Sequence, residues 1–139
     1  MSGPFCMEFV IGTLDCDELG HLNVSRYFRF CNRAGFAMQA AIGWPPGEAN
    51  AGRRYSFAVV TETSEFLAEM HAGEVITAEV GISAMGTKSA TFLNVLRRAD
   101  GSVAYSSPWK SVLMDLDTRR SVELPEDLRA ALKTYWVED

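Results

Sequence analysis

Residues 23–43 read NVSRYFRFCNRAGFAMQAAIG, and their spacing decides how the rest of the chain is arranged. Tyr27, Cys31, Ala34, Met38 and Ala41 recur at steps of four and three, which draws one apolar stripe down a helix starting at Val24. Asn23 suits the N-cap, because its side-chain oxygen can accept from a free amide of the first turn. Gly43, followed by Pro45 and Pro46, ends the helix. About nineteen residues at 1.5 Å rise give a rod of roughly 28 Å, long enough to cross a small sheet. Gly35 inside it costs about 1 kcal/mol relative to Ala, and a close approach of helix backbone to sheet would explain its presence. Arg26, Arg29 and Arg33 form a second stripe that reads as a solvent-facing edge.

Strands flank this helix. Phe5 to Gly12 read as a first strand. After a loop rich in Pro, Gly and Ala from Trp44 to about Tyr55, Phe57 to Leu67 read as a second. Ile76, Ala78, Val80, Ile82 and Ala84 then alternate with Thr77, Glu79, Gly81 and Ser83, the period of a half-buried strand. Gly86 and Thr87 turn the chain into a strand from Lys88 to Arg98, and Asp100-Gly101 signals a type I′ hairpin. The last strand runs from Val103 to about Leu116. Pro125, at the first helical position, with Glu126 and Asp127 behind it, opens a short terminal helix. This order predicts an α+β fold in which one long helix is wrapped by a curved five-stranded antiparallel sheet. No remaining element is large enough to cover the other sheet face, which predicts a partner subunit.

Composition narrows the function. The 139 residues suit a single domain spanning 1–139, with 47% hydrophobic and 22% charged residues. Thirteen Lys and Arg against eighteen Asp and Glu leave a net charge of -5, the wrong sign for a nucleic-acid partner. No apolar run is long enough to span a membrane, and the start lacks the pattern of a secretory signal, so a cytoplasmic protein is expected. Cys6, Cys16 and Cys31 form no Cys-x-x-Cys pair, and His21 and His71 lie far apart in sequence. Reduced thiols, with Cys31 buried on the helix, and no metal are therefore expected.

The segment from Asp15 to Tyr27, DCDELGHLNVSRY, places two aspartates, Asp15 and Asp17, in a turn immediately before the helix. A helix N-terminus offers unpaired amides and partial positive charge, which suit a developing oxyanion. A carboxylate beside them could attack a carbonyl or activate water. The alternative is a solvated acidic loop with an Asn cap.

The spacing Asp17, Gly20, His21, Asn23, Tyr27 resembles the signature of the 4-hydroxybenzoyl-CoA thioesterase family of hotdog-fold proteins. Downstream, Glu65-Phe66-Leu67 with Gly73-Glu74 resembles that family's second strand and turn. Gly86-Thr87-Lys88-Ser89 resembles its Gly-Arg-Ser-Ser type turn, with Ala90 in place of a second Ser, and Leu124-Pro125-Glu126-Asp127-Leu128 its closing segment. The resemblance implies a hotdog fold and hydrolysis of an acyl thioester, carried by coenzyme A or an acyl carrier protein, to free acid and thiol. It makes Asp17 the catalytic group, as nucleophile or general base, with Asp15 the weaker candidate. The amides around Asn23 and Val24 would polarise the carbonyl, Tyr27 would line the acyl pocket, and His21 would orient the loop or touch substrate. Lys88 and Ser89 would contact the nucleotide or pantetheine, with Arg53, Arg54, Arg97 and Arg98 as further phosphate partners. No cofactor is implied, since coenzyme A belongs to the substrate, and the assembly would be a homodimer or dimer of dimers. Between Val24 and Ile42 there is no Asp or Glu, and no His-Phe-Pro-Gly type motif follows His21, which favours hydrolysis over dehydration. The alternative is a hotdog protein that binds acyl-CoA or an acyl carrier without turning it over.

Overall fold

Asn23 caps the long helix as its sequence suggests: its Oδ1 accepts from the Ser25 amide at 3.0 Å and the Ser25 hydroxyl at 2.9 Å. In the computed structural model, which describes residues 2–138, that helix is α1 (Val24–Ala41). The strands are β1 (Phe5–Val10), β2 (Tyr55–Glu62), β3 (Glu65–Phe66), β4 (Val75–Met85), β5 (Ser89–Arg97), β6 (Val103–Asp115) and β7 (Arg120–Ser121), followed by α2 (Glu126–Lys133). Five long strands lie in the order β1-β4-β5-β6-β2 with antiparallel neighbours, and the two-residue β3 and β7 attach to opposite ends of β6. The expected α+β architecture of a long helix against a curved antiparallel sheet is therefore present.

The core forms where α1 crosses β1, β4 and β5. Tyr27, Phe30, Cys31 and Ala34 pack on Phe9, Ile76, Ala78 and Leu96. Met38, near the helix end, joins a second cluster with Val80, Ile82, Phe92 and Leu113, closed by Leu128 and Leu132 of α2. Cys31 is buried as expected, and burial pushes its thiol up to about 12, so it stays protonated and inert.

Several local expectations are corrected. The stretch from Phe57 to Leu67 is two strands, because Thr63 and Ser64 break the ladder while the Ser64 hydroxyl bonds Glu62 at 2.7 Å and Tyr105 at 2.7 Å. Asp100-Gly101 does not form a type I′ turn. Gly101 alone has positive φ there, the Gly101 amide bonds Arg98 O and the Arg98 amide bonds Ser102 O, which is a three-residue hairpin loop with a glycine bulge. Pro125 is the N-cap residue rather than the first helical one. Ala41 lies on the exposed side, since the stripe has rotated off the core by the last turn. Arg26 is no free edge residue either: it reaches Asp15 at 3.3 Å and Leu14 O at 3.4 Å, and Arg33 lies 5.4 Å over the Phe9 ring.

Gly35 is not pressed against the sheet: nothing lies within 4 Å of where its Cβ would be. Gly35→Ala should therefore stabilise the fold by about 1 kcal/mol through helix propensity. A thermal melt should show a rise of a few degrees.

Candidate active site

Backbone geometry explains why this loop has Asp and Gly where it does. The Gly20 amide donates to Asp17 O at 3.0 Å and the Asp17 amide to His21 O at 3.1 Å, with Gly20 at φ +84°. This is the same three-residue hairpin as at 98–102, and a side chain at position 20 would strain it. Asp17 Oδ1 accepts from the Leu19 amide at 2.9 Å, which fixes the carboxylate in an Asx turn. Its other oxygen has no partner among the described residues, so it remains available.

The two carboxylates of the loop are thereby distinguished. Asp15 accepts from the Gly12 amide at 2.8 Å through Oδ2 and pairs with Arg26 through Oδ1. Its backbone carbonyl also accepts from the Asn23 amide at 2.8 Å. Asp15 is bound up in holding the loop on the helix. Leu22, fully buried, is the bolt between them, its amide donating to Met70 O at 2.8 Å.

At the helix start the amides are unequal. Ser25 donates to the Asn23 side chain and Arg26 to Asn23 O at 2.9 Å. The Val24 amide has no acceptor among the described residues, and its side chain is 56% exposed. A donor at the positive end of a helix of eighteen residues is thus left open. Beside it, His21, Val24, Tyr27, Phe66, Leu67 and Glu69 border a cleft of about 360 Å³. Tyr27 is mostly core, at 3% exposure, but its ring edge meets Phe66 at 4.9 Å on the wall of that cleft. Burial first, then neighbouring Tyr105 and Glu69, hold its phenol above the usual range, so Tyr27 is a neutral group there.

His21, Val24 and Tyr27 are brought together at this cleft, while Asp17 and Asn23 lie in the loop that leads into the helix and are not among the residues bordering it. Lys88 and Ser89 lie elsewhere: Ser89 begins β5 and Lys88 precedes it, and the other end of that strand at Leu96 pairs with Tyr105 beside Tyr27. Eight residues of strand put them about 26 Å away along the sheet. Four of the five basic candidates are already paired, Arg53 with Asp127, Arg54 with Asp117, Arg97 with Glu79 and Arg98 with Glu74. Lys88 has no ion-pair partner among the described residues.

Glu62 and Phe28, which pattern reading passed over, make further contacts, the latter with Trp109. Glu62, at the end of β2, accepts from Ser64 at 2.7 Å and Ser107 at 3.2 Å, and Tyr105 bonds Ser64. Phe28 of α1 meets Trp109 of β6 at 6.0 Å. No periodic signal marks these contacts, because each depends on strands that are distant in sequence.

The long helix against a curved antiparallel sheet is the fold of a hotdog protein. The chain belongs to the Thioesterase-like superfamily, whose sequence profile matches residues 11–132. Among solved structures it is similar to a predicted thioesterase from Bacillus stearothermophilus, with 18% identity, TM-score 0.86 and 99% of each chain covered. It is similar to a 1,4-dihydroxy-2-naphthoyl-CoA thioesterase from Synechocystis, with 16% identity, TM-score 0.81 and 94% of this chain and 96% of that one covered. A hypothetical protein from Staphylococcus aureus, solved in complex with CoA, has 18% identity and TM-score 0.83, with 97% of this chain and 85% of that one covered. No curated protein matches in sequence. No helix among the described residues is long and apolar enough to cross a membrane.

Proposed function

We propose that this single hotdog domain is an acyl-CoA thioesterase of the 4-hydroxybenzoyl-CoA thioesterase type. The observation that supports the reading is an open amide on Val24 in the wall of a cleft, with a carboxylate oxygen of Asp17 left without a partner among the described residues in the hairpin that leads into the same helix. The Val24 amide donates to the thioester carbonyl oxygen and stabilises the charge that develops on it. Asp17 either adds to the carbonyl carbon, expelling the thiolate and forming an acyl anhydride that water then opens, or takes a proton from the water that adds. Both routes consume one water and give a carboxylic acid and a thiol, with no metal or redox group involved.

Two copies of the chain form the working unit. β2 is an edge strand, with Val59 and Val60 47% and 52% exposed, and Phe28 and Phe36 of α1 are exposed beside it. Pairing β2 with its counterpart covers these groups. It also allows Lys88 and Ser89 of one copy to meet a coenzyme whose thioester lies at the Asp17 loop of another.

The test is thiol release from short, long and aromatic acyl-CoAs, alongside calorimetric binding and a solution mass. Turnover is expected from a particle of two or four chains, with KM rising as salt screens Lys88 from the coenzyme phosphates. Binding without release would favour a non-hydrolytic acyl-CoA protein instead, and activity only toward carrier-bound thioesters would replace the coenzyme.

A further inference from the structure

Another stripe on α1 runs from exposed to buried along the helix: Val24, Phe28, Asn32, Gly35 and Gln39 follow one another at steps of four, four, three and four. Phe28, Arg29 and Asn32 line a groove with Val59, Glu62 and Trp109. Asn32, Val59 and Trp109 are also in the wall of a narrow slot between α1 and the inner face of the sheet, so the groove and the slot adjoin. Phe28, at the near end of the groove, lies about one turn beyond Val24. Gly35 lies in the wall of the slot, with nothing within 4 Å of its missing Cβ.

The slot gathers polar groups that the rest of the core avoids. Gln39, Asn94, Ser107 and Ser111 are the buried polar side chains among the described residues. Three of them line the slot, and Ser107 is the cross-strand partner of Asn94. The Nε1–H of Trp109, which also lines it, is buried and has no acceptor among the described residues. Asn94 spends its Nδ2 on two long bonds, 3.3 Å to Phe92 O and 3.4 Å to Ser107 O, and nothing described donates to its Oδ1. A buried donor left as the Trp109 N–H is costs stability unless a partner enters. No charged side chain lines the slot, so the partner is neutral, and its enclosed space of about 30 Å³ fits a group the size of a water molecule.

We propose that this slot is a specificity site for an acyl group carrying a neutral oxygen function, a hydroxyl or a keto oxygen, far from the thioester. The proposal rests on the thioesterase reading for the position of the carbonyl. Helical rise places Asn32 about 12 Å beyond Val24, so the oxygen sits farther out than a single aromatic ring attached to the thioester reaches. The Trp109 N–H donates to either oxygen, the Gln39 amide and the Ser111 hydroxyl can donate as well, and a hydroxyl in turn donates to Asn94 Oδ1. The apolar stretch before it, with Phe28, Val59 and the Trp109 ring, takes the intervening methylenes.

The experiment compares decanoyl-CoA with ω-hydroxydecanoyl-CoA and 9-oxodecanoyl-CoA. The expected kcat/KM is at least about tenfold higher for the oxygenated chains, since a site built around hydrogen bonds discriminates against the analogue that lacks them. Trp109→Phe, which keeps an aromatic ring and removes the donor, brings that ratio toward one, and Ser111→Ala lowers it partway. Calorimetric binding of the same CoA thioesters to Asp17→Asn gives the preference without turnover. A binding preference with no hydrolysis would sink the thioesterase reading and keep the slot. Equal handling of plain and oxygenated chains, or a ratio unmoved by Trp109→Phe, overturns the slot and leaves the thioesterase reading standing.

Discussion

Asp17→Asn is expected to lower the rate of thioester hydrolysis by at least about a hundredfold while leaving the fold intact. The substitution is informative because Asn keeps the Oδ1 acceptor that holds the Leu19 amide at 2.9 Å, so the Asx turn, the Gly20 bend and the path into α1 persist. What is lost is the charge and basicity of the second oxygen, which has no structural partner among the described residues. An unchanged melting temperature together with the loss in kcat separates chemistry from folding. The same change at Asp15 should behave differently, because Asp15 pairs with Arg26 and caps Gly12. Activity near wild type in Asp17→Asn would remove the loop carboxylate from the mechanism.

Leu22→Ala is expected to destabilise the protein by about 3 kcal/mol, the range for emptying a fully buried leucine site. In a chain of this size that is a fall of roughly 10 °C in Tm. Activity should fall as well, at temperatures where the variant is still folded. Leu22 lies between His21 and Asn23, its backbone pairs with Cys16 across the hairpin and bonds Met70, and its side chain packs in the cluster that holds Tyr27 and Phe30. A cavity there loosens the register between the Asp17 hairpin and the open Val24 amide. Catalysis depends on that register at the scale of about an ångström. Loss of stability with kcat/KM unchanged would show that the loop is positioned by other contacts.

Much of this arrangement is written locally, and that part was legible. The Asn23 cap, the apolar steps from Tyr27 to Met38 and the Gly43 stop placed α1 to within a residue, because each acts over one or two turns. The alternation from Ile76 to Ile82 placed β4 for the same reason. Features decided by distant strands were not legible. The break at Thr63–Ser64 depends on Tyr105 and Ser107 of β6, and nothing in the Phe57–Leu67 pattern announces it. Gly35 has a sequence signal, its helix penalty, but that signal has two physical causes: a crowded backbone and an open slot. Only the packing of Trp109 and Asn94 chooses between them. At the site, the Gly20 bend and the Asn23 cap were legible locally, whereas the role given to Asp17 rests on the resemblance of its motif to the family signature. Glu62, Phe28 and Trp109 meet only once the sheet is folded.

The central claim is that a thioester is cleaved between Asp17 and the start of α1. The most direct measurement is a crystal structure of the Asp17→Asn variant with an intact acyl-CoA bound. The account predicts the thioester carbonyl oxygen within hydrogen-bond distance of the Val24 amide, with the substituted side chain at position 17 facing the carbonyl carbon or a water held beside it. A well-ordered thioester bound elsewhere, with the Val24 amide turned to solvent, would contradict it.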